Sequence, residues 1–294
     1  MQNRYTIDQF RKDYPDSDTC LHKIFLLRYA NLICPKCDGD KQFTRVKNKM
    51  SYQCPSCGYQ VYPMAGTPFE KTRIPLANWF YAIYLQTTTR NGVAAKELER
   101  QLNICYETAL RMSHQIKKLI AGKPLDKLNG PVEIDETYVG QKFATMNKKQ
   151  REKNTDAEGN FIDNKTGVMG FLSREGRIRV EVMLDAKTFK ERVKDNVHPE
   201  ATLITDGHSG YYGLDIEYFK HEIINHLQGE YKRDEWHTNN IENFWSALKR
   251  TIKGTHIHVE ARYLHLYANE VAFRYMHRKE QAMMFETILK NVVF

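Results

Sequence analysis

Three acidic residues stand where a soluble chain has little reason to put them. Asp135 lies inside the apolar run Val132-Glu133-Ile134-Asp135-Glu136-Thr137-Tyr138-Val139. Asp206 closes a second run, Leu203-Ile204-Thr205-Asp206-Gly207, and Glu242 sits in the helix-patterned stretch from His237 to Trp245. A buried carboxylate is costly unless it is paired or holds a cation, so two of them at strand positions imply a site for a hard metal. Paired Mg²⁺ or Mn²⁺ ions held by carboxylates are the usual apparatus for cutting and rejoining phosphodiesters.

Strand alternation selects among the acids of the first run. Asp135 shares a face with Glu133, Thr137 and Val139, while Glu136 points the other way with Ile134 and Tyr138. Gly207 lets the backbone turn away after Asp206 and leaves the carboxylate at the edge of the sheet. Asp185 also follows a strand, but a helix start comes next, so it reads as a cap or turn residue. From Asn239 or Asn240, either a good N-cap, Ile241, Phe244, Trp245, Leu248 and Ile252 form an apolar helical stripe. Glu242 and Lys249 return to one face of that helix. By itself, Glu242 also fits a surface acid near a helix N-terminus.

A second metal chemistry is written in the cysteines. Cys34-Pro35-Lys36-Cys37 and Cys54-Pro55-Ser56-Cys57 are two knuckles with 16 residues between them, the spacing of a tetrahedral zinc site closed by a hairpin. A pair of redox motifs is the competing reading, and duplication at ribbon spacing argues against it. Four thiolates leave no position for substrate, so one Zn²⁺ here is expected to be structural. Arg45, Lys47 and Lys49 on the hairpin either meet phosphates or solvate the surface. Cys20 and Cys105 read as small buried apolar residues. His256, His258 and His265 are scattered along the tail and read as surface or core residues.

These sites need a chain large enough to position them. With 294 residues, 41% of them apolar, and 44 Lys and Arg against 36 acids for a net charge of +8, the chain is globular and favours a polyanionic partner. No secretory leader and no membrane span are expected, and the paired cysteines suit a reducing compartment, so a soluble cytoplasmic protein is expected.

Residues 1–33 read as two short helices around the turn Tyr14-Pro15-Asp16-Ser17-Asp18, and 34–62 as the zinc ribbon. Residues 67–121 read as a helical domain. Pro75 opens its first helix. Ala94–Leu102 and Tyr106–Ile120, joined at Asn103-Ile104-Cys105, resemble a helix-turn-helix that presents Tyr106, Thr108, Arg111 and His114 outward. An ordinary helical hairpin gives the same pattern. Gly122 to Pro131 reads as a linker. From 130 to 294 the pattern becomes mixed α/β: strands at 132–139, 168–173, 178–184 and 201–205, a helix at 188–197, and a helical remainder from about Asn239. Polar residues 141–166 read as a mobile loop within that domain.

Glu-Ile-Asp135-Glu-Thr-Tyr-Val-Gly, Thr-Asp206-Gly-His, His237-Thr-Asn-Asn-Ile-Glu242-Asn-Phe-Trp-Ser-Ala-Leu-Lys249-Arg and the Cys-Pro-x-Cys knuckles resemble the DDE-type transposases of insertion sequences related to the Merlin elements. The resemblance covers nearly the whole chain. It implies an RNase H-like mixed-sheet catalytic domain preceded by the zinc ribbon and the small helical domain. It also implies binding of terminal inverted repeats, cleavage of the element's ends, and joining of the freed 3′-hydroxyls to target DNA. Asp135 would bridge two Mg²⁺ (or Mn²⁺) ions, Asp206 and Glu242 would complete the two sites, and Lys249 and Arg250 would touch DNA. The third acidic position varies in the family between Glu and Asn, so Asn239 competes with Glu242. Expected partners are double-stranded DNA and, on DNA, further copies of the chain. The alternatives are a non-catalytic DNA-binding regulator or domesticated remnant, and a nuclease that only hydrolyses.

Overall fold

The computed structural model describes residues 4–140, 146, 148–155, 159, 165–214, 218, 220–224, 233 and 235–293. Its contacts fall into two compact units, one made of Met1–Lys123 with His277–Phe294, the other of Pro124–Met276.

In the first unit, α1 (Ile7–Asp13) and α2 (Ser17–Tyr29) flank the expected polar turn. Each begins on a side-chain cap: the Thr6 hydroxyl accepts from the Gln9 N–H at 3.3 Å, and the Asp16 carboxylate accepts from the Thr19 N–H at 2.8 Å. A three-stranded antiparallel meander follows, β1 (Thr44–Arg45), β2 (Tyr52–Gln53) and β3 (Gln60–Val61). It is too small to hold a core, and α2 supplies one. Phe25 stacks on Tyr52 with ring centroids 3.9 Å apart, and the Arg28 guanidinium donates to the carbonyls of Pro63 and Ala65, both at 2.6 Å. Then come α3 (Leu76–Thr88), α4 (Ala95–Leu102) and α5 (Tyr106–Ala121). Asn103 ends α4 in the left-handed region at φ +50°, a conformation asparagine tolerates, and this turns the chain into α5.

The second unit is built on a five-stranded sheet. Its elements in chain order are β4 (Pro131–Val139), the short α6 (Lys148–Lys153), β5 (Thr166–Ser173), β6 (Ile178–Met183), α7 (Phe189–Asn196), β7 (Thr202–Asp206), β8 (Lys220–Ile224), α8 (Asn239–Thr251) and α9 (Leu264–Met276). The spatial order is β6-β5-β4-β7-β8. β4, β5 and β6 pair antiparallel, whereas β4–β7 and β7–β8 pair parallel. Side-chain alternation divides two cores. Val132, Ile134, Met169, Phe171 and Leu203 pack with Val193 of α7 and with Tyr211 and Leu214 on one face. Val168, Leu172 and Ile178 pack with Ile241, Phe244, Trp245 and Leu248 of α8 and with Leu264, Ala268 and Val271 of α9 on the other. Each such buried side chain contributes about 1.5–3 kcal/mol before entropy is counted.

The sheet carries a strand, β8, that sequence reasoning did not foresee. The stretch read as a linker also contributes to the core: Leu128 is fully buried and its N–H donates to the Asn196 carbonyl at 2.9 Å. Of the expected loop 141–166, residues 141–145, 147, 156–158 and 160–164 lie outside the described residues, and Lys148–Lys153 is helical. After α9 the chain rejoins the first unit through α10 (Gln281–Lys290), whose Phe285 sits among Phe10, Tyr14 and Phe80.

Candidate metal centres and the helix that spans one of them

The four paired cysteines meet. Among the described residues, only Cys34, Cys37, Cys54 and Cys57 bring three or more candidate ligand atoms within 4.8 Å of one another. Two cross-knuckle sulfur pairs lie 3.5 and 3.7 Å apart, close to the ~3.8 Å edge of a tetrahedron with ~2.3 Å metal–sulfur bonds. Each knuckle is a hydrogen-bonded turn: the Asp38 N–H donates to the Cys34 carbonyl and the Gly58 N–H to the Cys54 carbonyl, both at 2.9 Å. Burial resists ionisation of Cys54, yet the backbone N–H groups of Cys57 and Ser56 and the neighbouring thiols outweigh it, and its pKa falls to about 6. Cys37 accepts from Gly39 but competes with the Cys57 and Cys34 thiols, and it is pushed up to about 12. Thiols this crowded cannot all ionise unless a cation neutralises them. The donor set fits a tetrahedral metal ion.

On the hairpin, Lys47 and Lys49 are exposed, whereas Arg45 is committed to the fold. Its guanidinium donates to the carbonyls of Val46, Lys49 and Ser51 and pairs with Asp18 at 2.8 Å. Cys20 is buried as expected, but Cys105 is exposed, because it precedes α5 at its N-terminus with its sulfur 3.0 Å from the Thr108 hydroxyl. Tyr106 and Arg111 are exposed on α5, Thr108 and His114 half-buried.

The carboxylates are arranged differently. The parallel register Ile134↔Thr205 makes Asp135 and Asp206 the next residues on adjacent strands. Both project to the α8 face, as Glu133 and Ile204 do one pair earlier. Asp206 also accepts the His208 N–H at 3.0 Å, which fixes the turn after β7. Asp135 accepts the Trp245 indole N–H at 2.8 Å through Oδ2. Burial, the adjacent Glu136 and the nearby Asp206 raise its pKa to about 7, against the pull of that indole. Glu136 faces away as alternation requires, accepting from the Tyr211 hydroxyl at 2.6 Å, and burial, reinforced by this carboxylate, pushes the Tyr211 pKa up.

Two anchors set the position of α8. Fully buried Glu133 accepts from the N–H groups of Asn240 at 3.1 Å and Ile241 at 3.0 Å, from the Asn240 side chain at 2.8 Å, and from Arg174 at 3.0 Å. It thus serves as the acidic partner of the helix N-terminus from another strand. The second anchor is Trp245 on Asp135. Gly170, paired with Asp135 across β5, makes room for it: a Cβ there would lie 2.7 Å from Trp245 Cη2 and 3.1 Å from Ile241 Cδ1. Neither the helix-capping role of Glu133 nor the hydrogen bond from Trp245 was foreseen from sequence. The only hint was an unexplained glutamate on the Asp135 face.

Glu242 lies on α8 between the two anchors, exposed, with the Thr238 hydroxyl 3.3 Å from its Oε1. At about 100° per residue, Glu242 stands about 60° and Lys249 about 40° around the helix from Trp245, but Asn239 about 120°. Lys249 and Arg250 are exposed. The three carboxylates do not come within 4.8 Å of one another as a group. A two-ion site does not require that, since its outer ligands hold different ions about 3.5–4 Å apart.

A family model described as the ISXO2-like transposase domain matches residues 127–276, which contain the whole sheet, α8 and α9. The chain belongs to this family. As an insertion-sequence transposase of this group it is also 28% identical over 236 residues to an uncharacterized protein in transposable element ISH50 of Halobacterium salinarum, a match covering 76% of this chain and 79% of that protein. No solved structure matches it. No helix among the described residues of this transposase is long and apolar enough to cross a membrane.

Proposed function

We propose that this transposase binds the terminal inverted repeats of its element, cleaves the DNA strands there and transfers the 3′-hydroxyl ends to a target, with Asp135, Asp206 and Glu242 as the ligands of two divalent cations. The observation that carries the reading is the side-by-side placement of Asp135 and Asp206 on parallel strands beneath α8. A mixed five-stranded sheet with two acids on neighbouring inner strands and a third on a packed helix supports an RNase H-like catalytic domain.

When bound, a pair of Mg²⁺ or Mn²⁺ ions would activate the attacking water or 3′-hydroxyl and stabilise the leaving oxygen. The chain's own part is to hold the carboxylates in place. Asp135, with one oxygen fixed by Trp245, keeps the other for a shared ligand role. Asp206 is oriented by its turn. Glu242 suits the third role better than Asn239 because it lies nearer the Trp245 edge of α8. Lys249, on the same edge, contacts phosphate or a terminal base, and Arg250 contacts DNA close by. The cysteine cage holds one structural zinc. Lys47, Lys49, Tyr106, Thr108, Arg111 and His114 are the proposed further DNA contacts. Synapsis of two ends requires more than one copy, and the chain works in the cytoplasm on the DNA there.

The test is a cleavage and strand-transfer assay on labelled element ends. Asp135→Asn and Asp206→Asn are expected to lose cleavage by about 10²–10³-fold or more, the lower bound being the scale of removing one preorganised charge-stabilising group, while a gel shift still shows end binding. Cleavage by either variant in Mg²⁺ refutes the assignment. Hydrolysis without joined products reduces the activity to that of a nuclease.

A further inference from the structure

Among the described non-glycine residues with positive φ, the β-branched one lies just past the C-terminal end of α8. The helix loosens into a π-helical turn, Ile252–His256, and the next residue, Ile257, has φ +64° and ψ −56°. The His258 N–H donates to the His256 carbonyl at 2.7 Å, which closes a three-residue γ-turn of the rare, strained hand. Glycine makes that turn without a Cβ clash, whereas a β-branched residue is badly suited to it.

The side chain placed there is isoleucine, and it is 83% exposed, more than any other large hydrophobic residue described. Its neighbours are held inward. Ile252 is buried, the His256 ring packs edge-on against Tyr267 at 4.6 Å, and Val259 leans on the α8 core. The result is a single apolar side chain projected outward between two anchored residues. The segment that carries it is basic: Lys249, Arg250 and Lys253 are exposed, the sequence from 249 to 258 holds no acid, and the exposed acid that follows, Glu260, pairs with Arg262 at 2.7 Å. Strain of this kind persists where the surroundings over-determine it, and it gathers at functional positions. An apolar side chain framed by cations matches how proteins unstack a base step while holding the phosphates beside it.

We infer that Ile257 is a wedge that enters the base stack of DNA within one helical turn of the strand-cleavage site, with Lys249, Arg250 and Lys253 gripping the flanking phosphates. The inference rests on the proposed two-cation chemistry only for which DNA is bound. The wedge continues from the helix that carries Glu242 and Lys249, roughly 20 Å along its axis from Glu242, so the unstacked step lies within one turn of the duplex from the scissile bond. The partner is duplex DNA. A second copy of this chain, with its own net charge of +8, would meet this basic segment with like charge.

The experiment uses the full-length chain and duplexes of the element's own end, with 2-aminopurine placed in turn at each step around the cleavage position. Wild type is expected to raise the fluorescence several-fold at one step. Ile257→Gly, which suits the backbone, and Ile257→Asn, which removes the apolar tip but keeps a side chain, are expected to fold and to bind within about twofold, because phosphate contacts dominate affinity. Both should lose the fluorescence rise and slow cleavage or joining. Asp135→Asn is the control: it should keep the fluorescence rise and lose cleavage. If Asp135→Asn cleaves, the catalytic reading fails and the wedge is still decided by fluorescence. An unchanged 2-aminopurine signal in both Ile257 variants overturns the wedge, as does a variant that dissolves a protein-only dimer in sedimentation without altering that signal.

Discussion

The cysteine cage and the carboxylate cluster differ in how far their ligands travel to meet. Each knuckle of the cage is four residues long and is shaped by its own turn, and one hairpin brings the two together, with sulfurs already near bonded spacing. The acids arrive from β4, from the end of β7 and from α8, with more than a hundred residues between the first and the last, and they do not close to the same spacing. Local closure suits a site whose purpose is to replace a missing core. Assembly across a sheet suits one that must admit a phosphodiester between its ligands.

The sharpest way to break that contrast is to remove one ligand from the cage. Cys54→Ser is expected to release the metal and unfold the ribbon, a loss of several kcal/mol as in other small metal-closed units. Zinc content and amide exchange at β1 to β3 check it; a protected ribbon without metal would show that α2 alone suffices. Next in size is Glu133→Ala, which strands Arg174 and two N–H groups of α8 and should cost about 3–5 kcal/mol, read from denaturant melts. Glu133→Gln should fold better than Ala yet need more Mg²⁺ for half-maximal cleavage, by about 10–100-fold as for lost outer-shell partners. Gly170→Ala pushes a methyl group into the Trp245 ring and is expected to cost about 1–3 kcal/mol. A unit in which Trp245 simply moves aside would leave stability unchanged and weaken the second anchor.

A further difference is a pH dependence peculiar to the carboxylate side. Burial and neighbouring acids hold folded Asp135 near 7 against an ordinary 3.8. Between those values the folded chain keeps a proton that the unfolded chain has released, so with chelator present stability falls as pH rises through about 4 to 7 and is level above it. Asp135→Asn should remove most of that fall, on the order of 4 kcal/mol across the interval. Melting temperatures across pH read the difference, and an identical slope in both proteins would assign it elsewhere.

What the sequence revealed follows the same division. Knuckle spacing is local, so the cage was legible. Alternation along β4 separated Asp135 from Glu136, and the structure puts them on opposite faces as expected. β8 was missed because Lys-His-Glu-Ile-Ile on a sheet edge lacks the apolar alternation of an inner strand. The destination of α10 could not be read, since an amphipathic helix shows that it packs but not on which core. The role of Glu133 was hidden for the same reason: its partners Asn240 and Ile241 lie 107 and 108 residues away. Cys105 was misplaced because residue type was taken as a guide to burial.

The two anchors of α8 also act as a ratchet against insertions. Asn240 and Ile241 are tied to Glu133 and Trp245 to Asp135, so one residue added between them would roll everything beyond it by about 100° and swing Lys249 off its edge. β4 cannot compensate, because slipping a strand by one position presents the opposite face. Relatives of this chain are therefore expected to vary in length before His237 and after Val259, but to keep the count from 240 to 245 unchanged.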